Sequence, residues 1–218
     1  MRVNERNEVI GWDTRRATVR ARALGRGSFG IVRRMDVDDD GRGDDGGDEG
    51  GRGSVGGILV TKRSEGKDVW PGRYDVVTSG VCATRDGTGG GLSTAAAAYE
   101  ETMRRELGEE LGADAAKDAR VRKLFEFPYE DAYMRVWGAC FEIVLRNGAV
   151  VAFEDGEVAS GEFVKLDEIE ERLKREPGVF TPVGAYVLSR YLEFVRDGGK
   201  TPPQTWNERY IDESAEKN

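Results

Sequence analysis

Between Asp36 and Gly57 the chain reads DVDDDGRGDDGGDEGGRGSVGG, and no feature limits its fold more than this segment. It holds eight acids, two arginines, nine glycines and almost nothing apolar. Burial cannot offset the entropy of ordering such a stretch, so it is expected to be a disordered surface loop. The core must then be assembled from what lies on either side. Apolar residues stop after Phe29-Gly30-Ile31-Val32 and resume at Ile58-Leu59-Val60, and both runs read as strands. The loop is therefore expected to be an insertion between two strands of a hairpin, a place where extra length costs little stability. Its DVDDDGRGDD run looks calcium-like, but the glutamate and flanking helices of an EF-hand are missing.

The length of 218 residues suits one ordinary domain with appendages. Residues 1–35 are read as its start, 58–197 as its remainder and 198–218 as an irregular tail. The net charge is -8, and the acidic loop alone carries -6 of it. The remaining body is nearly neutral, which gives no support to a surface for duplex nucleic acid. The absence of histidine excludes a Ser-His-Asp triad, a Cys-His dyad and any His-ligated zinc. Two cysteines, Cys82 and Cys140, make neither a disulfide framework nor a four-cysteine zinc site. The longest apolar runs are too short to cross a bilayer, and the opening MRVNERNEV lacks a signal-peptide core. The cytoplasm is the default location. An organelle transit peptide stays open because of the arginines from Arg15 to Arg26, although Glu5, Glu8 and Asp13 argue against it. That arginine-rich stretch reads as a solvated strand edge or an anion-facing one.

Further along, strands are expected at Tyr74–Val77, Arg120–Phe127, Met134–Leu145, Val150–Phe153 and Glu162–Val164. Helices are expected at Thr94–Leu111, Leu166–Arg175 and Pro182–Arg196, with Gly112 ending the first. Trp70-Pro71-Gly72 reads as a turn, and a second Gly-rich loop spans Thr84 to Leu92. Interleaved strands and helices indicate a mixed α/β domain without an internal repeat.

The helix carrying Arg105-Glu106-Leu107-Gly108-Glu109-Glu110-Leu111 holds the chemistry. At about 100° per residue, Tyr99, Met103, Leu107 and Leu111 make a buried stripe. Glu110, Glu106 and Glu109 fall at roughly -60°, -100° and -160° from Leu107, one contiguous patch beside that stripe. Three carboxylates so placed repel unless something positive sits among them. A hard divalent cation with oxygen ligands meets that need, and magnesium suits carboxylates plus a phosphate substrate. A charged, solvated helix with a Glu101–Arg105 pair is the plain alternative.

The stretch also resembles the Nudix box, G-x5-E-x7-R-E-U-x-E-E-x-G-U, in which U is a bulky aliphatic residue. Arg105, Glu106, Leu107, Glu109, Glu110 and Gly112 fill its second half. Lys67-Asp68-Val69-Trp70-Pro71-Gly72-Arg73-Tyr74-Asp75-Val76 looks like the segment leading into that box, and Glu157-Val158, followed by Glu162-Phe163-Val164 and a helix, like a late strand region of the fold. The resemblance implies an α/β/α sandwich with a mixed central sheet and a hydrolase that cleaves a nucleoside-diphosphate-type or other organic diphosphate. It implies Mg2+ or Mn2+ held by Glu106, Glu109, Glu110 and the backbone of Gly80. It further implies catalytic parts for Glu109, Glu110 and Glu157 (less so Glu154), with Arg105 bracing the helix. Arg63, Lys67 and Arg73 are candidates for phosphate contact. Trp70, Tyr74, Phe127, Tyr129 and Trp137 are candidates for stacking, although Trp137 reads first as core. The expected partner is a small-molecule diphosphate, with no membrane and no nucleic acid duplex. No oligomeric state follows.

Departures are specific. The first box glutamate is replaced by Ala97, and position 113 is alanine. Gly91 meets the first glycine only within a Gly-rich loop, so Ser79-Gly80-Val81 is the better entry to the box, with 84–93 an insertion in it. Glu100 and Glu101 stand near the lost acid. Two alternatives follow. One is an isomerase resembling isopentenyl-diphosphate isomerases, with Cys82 in the place of a catalytic cysteine but no histidines for the metal. The other is a non-catalytic Nudix module.

Overall fold

The computed structural model describes residues 1–34, 57–82, 95–146, 148–154 and 156–207. The acidic loop (apart from Gly57), the Gly-rich stretch 84–92 and the end of the tail lie outside them. Strands β1 (Arg2–Val3) and β2 (Val9–Gly11) form a short hairpin, followed by α1 (Arg15–Arg20). Thus the first half of the arginine-rich stretch is a helix, not a strand edge. Thr14 explains the start: its hydroxyl accepts from Ala17 N at 3.2 Å, and a strand could not use that bond.

The central strand is β3 (Gly25–Arg34). It runs parallel to β8 (Arg135–Leu145) in unbroken register from Gly25↔Val136 to Arg34↔Leu145. Its other edge takes β6 (Thr78–Val81) and then β4 (Ile58–Arg63), both antiparallel. The hairpin expected around the acidic loop is therefore real: β3 and β4 meet at Arg33↔Ile58. β5 (Tyr74–Asp75) and β9 (Val158–Val164) flank β4, and β7 (Arg120–Glu130) flanks β8.

The period-two alternation of β3 divides the core into two layers. Val32, with Ala139, Phe141 and Ile143 of β8, faces α2 (Ala95–Leu111) and α3 (Ala113–Ala116). Phe29 and Ile31 face α4 (Leu166–Arg175) and α5 (Pro182–Arg196). The result is an α/β/α sandwich with a mixed sheet. Pro182 suits the first turn of α5 because its missing N–H would be unpaired there, and Thr181 caps that turn through its side chain to Gly184 N at 3.1 Å.

One expected strand is absent. Val150–Phe153 is irregular because its backbone is engaged elsewhere. Ala152 N donates to the last carbonyl of α2, Leu111 O, at 3.0 Å, and Val150 N donates to Asp114 Oδ2 at 2.7 Å. Those bonds finish a helix end instead of a sheet ladder.

The sheet carries one buried ionic knot. Glu142 on β8 accepts from Arg33 on β3 at 2.5 Å, Arg122 on β7 at 2.9 Å and Tyr191 on α5 at 2.9 Å. Although burial opposes it, Arg33 and these hydrogen bonds hold the Glu142 carboxyl below the ordinary glutamate value. A depressed carboxylate stabilises the fold above its unfolded pKa, and the contribution is lost as pH falls through the folded pKa. Glu142→Gln should cost about 2–4 kcal/mol at neutral pH, since it leaves the Arg33 charge unpaired. In urea denaturation the gap between wild type and variant should narrow as pH drops below 4.5, because the unfolded chain protonates Glu142 before the folded one does.

Candidate active site

Helix α2 buries the stripe anticipated from its periodicity: Tyr99, Met103, Leu107 and Leu111 are each at most 1% exposed. That seating turns the glutamate patch toward the open edge of β6. The approach depends on glycine. A Cβ on Gly30 would lie 2.5 Å from Ile143 Cδ1 and 2.8 Å from Met103 Sδ, so a side chain there would lift the helix. Likewise a Cβ on Gly80 would lie 1.9 Å from Glu106 Oε1. Gly112 ends the helix with φ +87°, a backbone that favours glycine.

The carboxylates have different local partners. Arg105 lies between two of them, donating to Glu109 Oε2 at 2.6 Å and, closely, to Glu106. Glu110 accepts a short hydrogen bond from the Thr78 hydroxyl on β6. Glu157, just before β9, is paired with Lys67 from the loop after β4. Burial is the main force on Glu110 and pushes its carboxyl up to about 8; the Thr78 bond opposes this, and the nearby Glu106 and Asp75 charges add to it. Burial also raises Glu106, with Arg105 opposing and Glu109 and Glu157 reinforcing. Like charges reaching one another this way show that the carboxylates share one electrostatic site.

These residues form one wall of a cavity of about 580 Å³. Glu106, Glu109, Glu110, Glu157, Gly80 and Arg105 all line it, as do Arg63, Lys67 and Trp70. Arg73 does not; it stands behind, its guanidinium 4.3 Å from the Trp70 ring centre. Arg63 donates to Val69 O at 2.9 Å and lies 3.7 Å from Asp75, which ties the Trp70 loop to β5. Phe127, Tyr129 and Trp137 are core residues, and Tyr74 packs with Phe180 and Arg172. Glu100 pairs with Arg104 on the exposed face of α2 and lies outside the cavity lining, as does Glu101.

Several lining residues escaped the sequence reading. Asp75 is 4% exposed and accepts from Val76 N at 2.9 Å and Val77 N at 3.3 Å. A lone acid in a two-residue strand gives no periodic signal. Tyr133 and Met134 come from the β7–β8 turn, and Tyr133 meets Trp70 edge-on at 4.6 Å. Trp70 itself has φ +53°, rare for a bulky residue and rarer before proline, which marks this turn as held in place by its surroundings. Cys82 lines the cavity but is fully buried, and burial raises its thiol pKa, so it is not an activated nucleophile.

Comparison with known proteins agrees with this architecture. The NUDIX domain profile matches residues 48–183. The chain belongs to the Nudix family. Members of this family are hydrolases that act on pyrophosphate bonds. Nudix hydrolase YfcD of Escherichia coli is 31% identical over 191 residues, covering 88% of this chain and 84% of that protein. A prenyl-diphosphate phosphatase of Methanosarcina mazei is 32% identical over 130 residues, covering 57% of this chain and 65% of its own length. Among solved structures, a protein from Deinococcus radiodurans superposes with a TM-score of 0.58 at 21% identity, covering 87% of this chain and 96% of that one. A NUDIX hydrolase from Alicyclobacillus acidocaldarius gives 0.54 at 11% identity, covering 83% and 98% respectively.

Gly80 offers a clean test of the site. The atoms that an added methyl would strike, Oε1, Cδ and Cγ, all belong to the Glu106 side chain and none to backbone, so Gly80→Ala should cost less thermal stability than Gly30→Ala. It should nonetheless lower kcat/KM about 10-fold or more by displacing that carboxylate. Melting curves beside steady-state kinetics check both halves.

Proposed function

We propose that the protein is a divalent-metal-dependent hydrolase of organic diphosphates whose other half is apolar, with prenyl diphosphates as the first class to assay. The observation that carries this reading is a single cavity with a carboxylate wall and an apolar one. Glu106, Glu109, Glu110 and Glu157 line the first; Phe29, Trp70, Tyr133, Met134, Val136 and Val183 line the second. The likeness to the Methanosarcina mazei prenyl-diphosphate phosphatase points the same way.

The donor set fits magnesium or manganese: carboxylate oxygens only, crowded enough to repel, beside a side-chain-free Gly80 backbone. Among the described residues no group of three acids or thiols is already gathered around a metal position. Arg105, Lys67 and Thr78 engage the carboxylates separately in this state. Glu106, Glu109 and Glu110, with the Gly80 carbonyl, are the groups that would hold the cation. What the cation supplies when bound is polarisation of a phosphoryl group and activation of water.

The remaining work falls to the chain. Lys67 and Arg63 stand where a diphosphate enters and can neutralise its oxygens. Glu157, which Lys67 holds, is placed to orient or deprotonate water when Lys67 turns to substrate. Arg105 holds Glu106 and Glu109 in register rather than touching substrate. The apolar wall binds the organic half and excludes water from the reacting end. The raised thiol of Cys82 weighs against an isomerase reading.

Two measurements test this reading. The first is phosphate release from a panel of prenyl diphosphates, nucleoside diphosphate sugars and dinucleoside polyphosphates with magnesium or manganese. Turnover should appear and should fall about 1,000-fold or more in a Glu109→Gln, Glu110→Gln double variant. No turnover by either protein would favour the non-catalytic module and show that the loss of acid at Ala97 matters. The second uses chelator and no substrate. A glutamate raised from 4.5 to about 8 makes the fold progressively less stable as pH rises across that window, because the unfolded chain releases the proton first. Glu110→Gln should remove that slope, leaving the metal-free variant more stable than wild type by about 4 kcal/mol at pH 8 and nearly equal near pH 4.5.

A further inference from the structure

Between α5 and Asn207 the described residues have no regular structure, yet they stay on the body. Pro203 O accepts from Arg190 on α5, and Pro202 is buried. Asn207, 9% exposed, then pairs with both backbone groups of Glu130, the last residue of β7. Glu130 N donates to Asn207 Oδ1 at 2.7 Å, and Asn207 Nδ2 donates to Glu130 O at 2.9 Å. This side-chain amide completes the end of β7 as a neighbouring strand would. Trp206 adds a second hold: the Arg135 guanidinium lies 5.3 Å from its ring centre, and Trp206, like Trp12, packs against the cluster of Met1, Val3, Leu24, Ala98 and Trp137.

Glu130 and Arg135 bracket the turn that contributes Tyr133 and Met134 to the apolar wall of the cavity. Inside that turn Asp131 accepts from Tyr133 N at 2.7 Å, Met134 N at 2.8 Å and the Tyr129 hydroxyl at 3.0 Å. The turn is therefore internally rigid and moves as one piece. Its outer supports are Arg22, which donates to Glu130 Oε1 and Asp131 O at 2.9 Å each, and the segment 200–207. Tyr133, carried by this piece, meets Trp70 across the cavity mouth at 4.6 Å.

We propose that the segment 200–207 is a strap that sets substrate selectivity: through Asn207 and Trp206 it fixes the β7–β8 turn, and hence the Tyr133–Trp70 contact that bounds the space for the organic half of the substrate. Asn207 and Trp206 are positioning residues, since neither lines the cavity. The inference rests on the hydrolase reading above. The strap reaches α2 only through the cluster that holds Ala98, in the first turn of the helix, and the carboxylates lie more than two turns further on, so a loosened strap alters how the organic group is held and not the reacting end.

The test compares the full chain with Asn207→Ala, Trp206→Ala and the conservative Trp206→Phe. Steady-state kinetics would use prenyl diphosphates of increasing chain length, and amide hydrogen exchange would follow residues 129–136 and α2. The expected result in both alanine variants is a KM raised about 5-fold or more with kcat within about 2-fold, the pattern of lost binding to the organic group. The KM ratio between long and short chains should change as well. Exchange at Glu130, Tyr133 and Met134 should quicken about 10-fold or more while α2 keeps its protection, and Trp206→Phe should restore most of both effects. Should Trp206→Ala fail to fold, Asn207→Ala tests the same link with less lost packing. An active wild type whose foldable variants keep its KM and chain-length preference overturns the strap alone. A wild type inactive on the whole panel overturns the hydrolase reading and the strap with it.

Discussion

The distance between α2 and the central strand β3 governs the rest of the molecule. Gly30 lets Met103 and Ile143 meet above the sheet, and Gly80 on the neighbouring β6 leaves room for the Glu106 carboxylate. With the helix seated this low, Glu110 reaches the Thr78 hydroxyl and the carboxylate patch becomes a cavity wall. A helix one methyl group higher would keep its buried stripe in contact with Phe141 and Ile143 but would withdraw the glutamates from β6. The long parallel pairing of β3 with β8 makes the platform stiff enough for that distance to matter.

The same closeness creates an electrostatic load. Carboxylates that share a poorly solvated wall raise one another, and without a cation the chain relieves them by separate means: Arg105 for Glu106 and Glu109, Lys67 for Glu157, a hydroxyl for Glu110. Glu142 is a useful contrast within the same domain. It is also buried, yet Arg33, Arg122 and Tyr191 satisfy it so fully that its carboxyl moves down instead of up. One buried acid is made comfortable by the fold and joins three elements. The others are left partly unmet in a cavity, which is where ligand binding can supply what the fold withholds.

Much of the fold was legible because it was written in local periodicity. The stripe Tyr99, Met103, Leu107 and Leu111 specified α2, and α4 and α5 have the bounds expected from the sequence. The errors came where tertiary bonds overrode local pattern. Val150–Phe153 is apolar enough for a strand, but its N–H groups finish α2 and bind Asp114. Arg73 shares composition and neighbourhood with Arg63 and Lys67, yet it stacks behind Trp70 and takes no place in the cavity wall. Asp75, Tyr133 and Met134 sit in short or turn segments, where neither a two- nor a 3.6-residue period can mark a face.

By itself, the sequence determined the family, the chemistry of the helix and the side of it on which Glu106, Glu109 and Glu110 would lie, because a helix fixes angular relations between residues a few positions apart. It also determined that β3 and β4 must be joined across a segment with nothing to bury. Only the tertiary structure decided what those glutamates face. The Gly80 backbone, Thr78, Lys67 and Glu157 come from separate parts of the chain, and no local rule sets the distances among them. It alone brought the tail after α5 back to Glu130, because the bonding of a single asparagine to a distant backbone has no repeat, no period and no composition by which a sequence could announce it.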